Sequence, residues 1–174
     1  MPVTGAAIMS YPVVNPDHDL YETDFYAWTQ QQAAKLRCLE EQAVNLDLDL
    51  PRLAEEVEDL GKAERNAVRS QVRRIIEHCL KLEHSRSDRP RGQWKASIIE
   101  ARAEISDRLT ATLSRDIEQR LPILYGQARD KAGNDLRAQD EADAADALPA
   151  SCPYSPDDLL RDGWYPANRH GRTE

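Results

Sequence analysis

The sequence predicts an all-α protein: an antiparallel bundle of three or four helices with a long second helix and a short carboxyl-terminal helical strap. The composition favours helices, because the 174 residues include seven Gly and one Phe beside many good helix formers such as Ala, Leu, Arg and Glu. Several long stretches repeat apolar residues at helical spacing. No apolar run reaches the 18 residues expected of a membrane span, so we expect no membrane association.

The amino-terminal half predicts an arm followed by two helices. Residues 1–18 contain three prolines and no helical periodicity, so we expect a loosely ordered arm there. The first helix is expected from Asp19 to Ala43, with Asp19 or Thr23 as its cap. The second is expected from Pro51 to His84, since proline suits the first turn of a helix. At 1.5 Å per residue this second helix is roughly 50 Å long.

Two more helices complete a predicted bundle domain over residues 19–139. The third is expected from Gln93 to Leu113, where apolar residues recur at helical spacing. The fourth is expected from near Ser114 to Gln139, and Pro122 should kink or split it because proline lacks an amide proton. Three aromatic side chains are expected to anchor one continuous core with the second helix: Phe25, Trp28 and Trp94.

The carboxyl-terminal part is expected to return to the bundle. Residues 140–150 form an acidic, Asp/Ala-rich linker. Residues 151–174 are too rich in Leu, Tyr and Trp for a disordered tail, so we expect this segment to dock on the bundle. Ser155 followed by proline is typical of the start of a short helix. Such a helix is unstable in water by itself and needs a surface to lie on.

The second helix carries an apolar stripe that predicts a core-facing surface. The members of the stripe are Leu53, Val57, Leu60, Ala67, Val68, Ile75, Cys79 and Leu82. Glu64, Gln71 and His78 interrupt it at steps of seven, and a buried polar group needs a partner. Antiparallel folding places Gln32 near Glu64 and Arg102 near His78. We interpret these five residues, the polar core line, either as contacts that fix helix register or as a pocket.

No metal site, cofactor or catalytic residue is predicted. Glu64 and His78 lie roughly 21 Å apart along their helix, too far to share an ion. Glu64 is expected to bond to Gln32 as its first candidate partner or Arg108 as its second. The chain lacks a Gly-rich phosphate loop, Gly-x-Ser-x-Gly, Cys-x-x-Cys and His-Glu-x-x-His. Three cysteines without metal-type spacing and no signal peptide predict reduced thiols in the cytoplasm.

A basic ridge follows the back of the second helix, formed by Lys62, Arg65, Arg69 and Arg73. Such a ridge suits phosphates or an acidic partner, but long charged helix faces are more often simply solvated. The formal net charge of −8 argues against nucleic acid as the partner, because non-specific binding depends on Lys and Arg neutralising phosphates.

Six segments of the chain resemble one bacterial family, in its order and spacing. They are YETDFYAWTQQQAAKLR (Tyr21–Arg37), LAEEVEDLGKAER (Leu53–Arg65), HCLKLEHS (His78–Ser85), Trp94 with the following IIEARAEI, LPILYGQAR (Leu121–Arg129) and LPASCPYS (Leu148–Ser155). Over Asp19–Trp164 the chain resembles the "domain of unknown function 29" family. The resemblance implies an α-helical fold in a small bacterial cytosolic protein, and it supplies no catalytic residue.

The leading functional hypothesis is a non-enzymatic protein-interaction or regulatory module, antitoxin-like in one form, that binds a protein partner or a second copy of itself. It rests on the length of the second helix. This helix is longer than its neighbours, which are roughly 33 Å long, so part of its apolar surface is left to be covered. One alternative is an enzyme or a ligand- or metal-binding bundle with a pocket around Glu64, Gln71, His78 and Arg102. The other is a nucleic-acid-associated regulator that uses the basic ridge.

Overall fold

The computed structural model describes residues 16–42, 47–88 and 90–172 of the chain. Within these ranges it contains seven helices and no strand, which confirms the predicted all-α class. The helices are α1 (Pro16–Thr23), α2 (Phe25–Glu41), α3 (Leu50–His84), α4 (Arg91–Ser106), α5 (Ala111–Ala138), α6 (Ala142–Asp146) and α7 (Pro156–Leu160). Most of the predicted arm, together with the predicted end of the first helix at Ala43, lies outside the described residues.

The predicted first helix is interrupted at Asp24, which separates α1 from α2. The buried Asp24 carboxylate caps α2 by accepting a hydrogen bond from the Ala27 amide at 3.0 Å. Its second oxygen accepts from the Thr112 amide at 3.2 Å. The prediction of one helix capped by Asp19 or Thr23 was therefore wrong, because Asp24 satisfies amides at the starts of both α2 and α5.

Helix α3 begins within one residue of its predicted start and ends at His84 as predicted. Asp49 caps it by accepting from the Arg52 amide, and Pro51 lies in its first turn. The main core cluster takes its α3 members from Val68 onward and joins them to buried residues of α4 and α5. Among these are Ile75, Ile76, Leu80, Ile98, Ile105, Leu113 and Ile117, each almost fully buried.

The amino-terminal half of α3 pairs with α2 to form an antiparallel helical hairpin. Here the buried residues of α3 are Leu50, Ala54 and Gly61, while Thr29 and Ala33 are buried on α2. Leu53 and Leu60 are exposed instead, which corrects the expectation that the whole apolar stripe faces the core. The buried seam lies on a different face of the helix because small residues let α2 approach closely there.

The later helix boundaries differ from the predictions. Helix α4 ends at Ser106 rather than Leu113, and Thr110 begins α5 by accepting a hydrogen bond from the Leu113 amide. Helix α5 runs through Pro122 without being split. Apolar residues are buried on both sides of that proline, at Ile117 and Leu124, so tertiary packing offsets the lost backbone bond.

The carboxyl-terminal part lies against α3, α4 and α5. The segment predicted as a linker contains α6 and buries Ala144, Ala145 and Leu148. Ser155 and Asp158 form a capping box at the start of α7, and Leu159 is fully buried. No helix in the described ranges has the length and apolarity required to cross a bilayer.

Aromatic side chains divide between two places. Trp94 belongs to the main core, as predicted. Phe25 and Trp28 are half-buried and pack against each other and against Tyr21, with ring centroids 4.8–5.7 Å apart. Neither ring belongs to the core cluster, so the expected continuous core reaches Trp94 but does not include these two residues.

Candidate functional site

The members of the polar core line do not share one pocket. Arg108 donates to Glu64 at 2.7 Å, so the second candidate partner of Glu64 is its partner in the structure. Gln71 donates to Glu104 at 2.5 Å. Gln32 and His78 are half-buried, whereas Arg102 is buried. Gln71 contacts α4 through Glu104 and Glu64 contacts Arg108 just beyond α4, so these side chains have separate partners.

His78 is held in its neutral form. Burial, together with the nearby positive charges of Lys81 and Arg74, lowers the pKa of His78 to about 4. Its Nδ1 atom is buried without a hydrogen-bond partner among the described residues. A neutral imidazole in this setting is a core group at physiological pH.

Arg102 fixes the carboxyl-terminal segment to α4. Its Nε donates to the Leu159 carbonyl and its Nη2 to the Trp164 carbonyl, both at 2.9 Å. The guanidinium also lies over the Tyr165 ring, 5.5 Å from the centroid. Arg102 therefore binds the chain's own backbone.

The basic ridge makes contacts within the fold. Lys62 pairs with Glu58 and Asp59, and Arg65 donates to the Tyr26 hydroxyl at 3.1 Å. Arg69 makes two bonds to Asp116, which raise the pKa of Arg69. Arg73 donates to the side-chain oxygen of Gln127 at 3.0 Å. The contacts of the three arginines join α3 to α2 and α5, and all of these contacts use donors that the nucleic-acid hypothesis needs for phosphates.

Cys79 carries a reactive type of side chain, but it lies in the core. Cys79 is fully buried, and burial raises the pKa of its thiol to about 12. A thiol in that state is not a nucleophile at neutral pH. In the described ranges no three His, Cys, Asp or Glu side chains are grouped so as to hold a metal ion.

An apolar strip on the hairpin is exposed and is not covered by another helix in the described part of the chain. We define the hairpin strip as Leu53, Val57 and Leu60. Leu53 is 40% exposed and Leu60 is 56% exposed, and Val57 is half-buried. Their spacing of four and then three residues places them on one face of α3. Leu48, at the tip of the hairpin, is also exposed.

The packing of the hairpin explains why this strip faces outward. A β-carbon on Gly61 would lie 2.0 Å from the Thr29 hydroxyl oxygen, so the two helices touch closely at that point. An ion pair between Arg37 and Glu58 joins the same two helices. Since α2 occupies the Ala54–Gly61 face of α3, it leaves the face with the hairpin strip uncovered.

Sequence reasoning assigned the strip to the core because its members fit an apolar helical period. A signal for the true seam was present in Ala54 and Gly61, which are small and seven residues apart. Close helix crossings favour such residues because they let the backbones approach.

The chain matches the family described as "Domain of unknown function DUF29" over residues 20–165, which confirms the resemblance noted from its sequence. Its structure is similar to a solved α-helical protein of unknown function from Rhodospirillum rubrum. The two share 27% identity with a TM-score of 0.74, and the match covers 83% of this chain and 90% of that chain. No curated protein matches the chain. Both likenesses concern the helical fold, and neither names a reaction.

Proposed function

The chain belongs to the DUF29 family, and we propose that it acts as a non-enzymatic interaction module that pairs with a second copy of itself through the hairpin strip. The observation that carries this proposal is the exposure of Leu53 and Leu60 on a helix whose other face is already covered by α2. Apolar side chains grouped on one surface mark sites of association more often than isolated ones.

The hairpin strip is symmetric along its length, which favours a second copy as the occupant. Val57 lies between two leucines, so a two-fold axis through Val57 sets Leu53 of one copy against the partner's Leu60. This is the isologous arrangement of most homodimers, in which one patch binds itself. A β-branched residue between leucines at heptad spacing is also typical of helix-to-helix seams.

The dimer is expected to be weak and to depend on apolar contact. A stable interface buries about 1,200–2,000 Å² in total, and the partly exposed side chains of one short strip fall below that range. Association should therefore be in exchange at micromolar concentrations and should persist at high salt. Binding of phosphates by the basic ridge would instead weaken steeply as salt rises.

Sedimentation velocity over a concentration series tests the proposal. The unmodified chain should shift from monomer towards dimer as its concentration rises, and Leu60→Glu should remain monomeric. The matched control is Ile99→Glu, because Ile99 is equally exposed but lies on α4. A chain that stays monomeric throughout, or an Ile99→Glu effect equal to that of Leu60→Glu, would overturn the proposal. Circular dichroism checks that each variant is folded.

A further inference from the structure

A cavity of about 300 Å³ lies between the end of α3, the start of α4 and the carboxyl-terminal segment. We call it the tail pocket. The residues that line it include Leu82, Arg91, Lys95, Tyr165, Pro166 and Arg172. Its volume falls at the small end of the range of ligand sites. It lies at the opposite end of α3 from the hairpin strip and is independent of the proposed self-association.

Arg91 is the buried cation of the tail pocket. The residue is only 6% exposed, and its Nη1 donates to the Leu82 carbonyl at 3.0 Å. Its Nε is buried and has no hydrogen-bond partner among the described residues. A guanidinium carries five donors in a rigid fork, and buried donors are nearly always satisfied. Because Arg91 lines the cavity, an acceptor on a ligand bound there would satisfy its guanidinium group.

Among the described residues that line the cavity, three are cations, Arg91, Lys95 and Arg172, and none is a carboxylate. Asp88 pairs with Arg172 at 3.3 Å from outside the lining. Arg91 is also the first residue of α4, whose amino end has no side-chain cap in the described part of the chain. The amino end of a helix favours an anion.

The carbonyl groups at the carboxyl end of α3 already have hydrogen-bond donors. The side-chain nitrogen of Asn168 donates to the carbonyls of Leu82 and Ser85, at 2.8 and 2.9 Å. The Arg169 amide donates to the Glu83 carbonyl at 2.9 Å. These contacts engage the carbonyls that would otherwise face an anion in the tail pocket.

Much of the remaining wall is apolar. Leu82, Tyr165 and Pro166 line the cavity, and Lys95 lies over the Tyr165 ring, 5.5 Å from its centroid. Cations beside an apolar wall match a molecule with one anionic end and one apolar end. A fully hydrated ion such as phosphate would leave that wall without a partner.

We propose that the tail pocket binds a small amphipathic carboxylate, an aryl or short-chain aliphatic acid. The carboxylate accepts hydrogen bonds from the Arg91 fork, as planar carboxylates do from guanidinium groups. The apolar body lies against Leu82 and Tyr165. Because Tyr165 and Arg172 belong to the carboxyl-terminal segment, the bound acid also holds that segment against α3 and α4.

Isothermal titration calorimetry with benzoate and octanoate tests this proposal, with benzyl alcohol and inorganic phosphate as comparison probes. At least one of the two acids should bind to the full chain with a Kd of about 1 mM or tighter. Benzyl alcohol should bind at least about tenfold more weakly than benzoate, because a hydrogen bond to a charged group is lost. Phosphate that binds as well as both acids would overturn the assignment of an amphipathic ligand.

Variants locate the site. Arg91→Gln should weaken acid binding about tenfold or more, whereas Arg115→Gln on α5 should leave it unchanged. Arg91 also bonds to the Leu82 carbonyl. Lys95→Gln is therefore measured as a second variant, in case Arg91→Gln does not fold. It should weaken acid binding threefold or more. No binding of either acid at about 10 mM, or equal losses in Arg115→Gln and the pocket variants, would overturn the proposal.

Discussion

At the scale of single residues, Gly61 marks the closest approach of α3 to α2. We expect Gly61→Ala to destabilise the protein, although alanine normally gains about 1 kcal/mol over glycine inside a helix. The new methyl group would lie 2.0 Å from the hydroxyl oxygen of the buried Thr29, and overpacking of this kind costs about 1–3 kcal/mol. Urea denaturation measures the change in the free energy of unfolding.

The chain offers a matched control for this substitution. Gly126 lies inside α5, and a β-carbon there meets nothing within 4 Å. Gly126→Ala should therefore stabilise the protein by up to about 1 kcal/mol. Adding Thr29→Ala to Gly61→Ala should recover part of the loss. A Gly61→Ala protein as stable as Gly126→Ala would contradict the close crossing.

Gly61 shows what a local signal can and cannot predict. A glycine in a long helix predicts that something lies close to it, and that expectation agrees with its contact to Thr29. The direction of the contact is not readable from the glycine itself. The hairpin strip was assigned to the core for that reason, since the choice between two neighbouring faces of α3 depends on where α2 lies.

His78 gives the protein a pH dependence on the acidic side. Burial lowers the pKa of His78 to about 4 from its ordinary 6.5, so the unfolded chain binds this proton more readily than the folded protein does. Its contribution to stability is complete above pH 6.5 and decreases as the pH falls towards 4. We expect a loss of about 1–3 kcal/mol over that interval, allowing for the part of the ring that water screens.

Replacing His78 by glutamine should flatten this part of the pH profile. Urea midpoints at several values between pH 7 and pH 4 give the slope. Burial also lowers the pKa of His84, so some dependence should remain in the variant. His170→Gln is the control, because His170 is exposed. Identical slopes for His78→Gln and the parent would refute the assignment of this dependence to His78.

At the scale of elements, Asp24 connects the starts of α2 and α5. Asp24→Ala should cost about 2–4 kcal/mol, because it removes a helix cap and a charged acceptor for the Thr112 amide. Asp24→Asn should cost less than half as much. Its single carbonyl oxygen retains the cap to Ala27 but presents an NH₂ group to Thr112. Chemical denaturation of the two variants separates the two contributions, and equal losses would mean that the cap to Ala27 adds nothing.

The helices also show which boundaries local sequence patterns can predict and which they cannot. Helix α3 has a proline, a capping aspartate and a long apolar period, all local, and its bounds were predicted within one residue. The break at Asp24 depends on an amide 88 residues away in the chain, which no local pattern contains. Pro122 is a strong helix breaker by itself, but buried neighbours on both sides keep α5 continuous.

At the scale of the whole molecule, the carboxyl-terminal segment completes the core. Deleting every residue after Ala147 removes the buried side chains of Leu148, Tyr154 and Leu159. It also leaves the buried Arg102 without its acceptors. We expect a loss of at least about 3 kcal/mol and a fall in melting temperature of more than about 6 °C. Increased binding of a hydrophobic dye should accompany it.

A narrower change separates the cap of α3 from the rest of this segment. Asn168→Ala removes the bonds to the carbonyls of Leu82, Glu83 and Ser85 and the two that its side-chain oxygen accepts from nearby amides. Its melting temperature should therefore lie between those of the parent and the truncated chain. A truncated chain that melts with the parent and binds no additional dye would show that the segment adds nothing to the core.

The tail pocket and the hairpin strip differ in how far the sequence predicts them. An apolar, aromatic ending predicts contact with the bundle, and the contacts of Leu159 and Arg102 agree with it. The partners themselves come from distant positions: Arg91 and Tyr165 line one cavity only because the segment turns back along α4. No local pattern in a single sequence predicts that these two residues meet. Likewise, no local pattern predicts which face of α3 is left uncovered by α2.

Many of the bonds that hold the carboxyl-terminal segment end on main-chain atoms. Arg102 binds the carbonyls of Leu159 and Trp164, and Asn168 binds three carbonyls at the end of α3. Carbonyls are the same whatever side chain they carry, so most exposed positions between them are open to substitution. In a saturation mutagenesis map scored by abundance, Asp162 should accept almost any residue. Gly163, with φ of +70°, should accept few, and Arg102 itself should accept none.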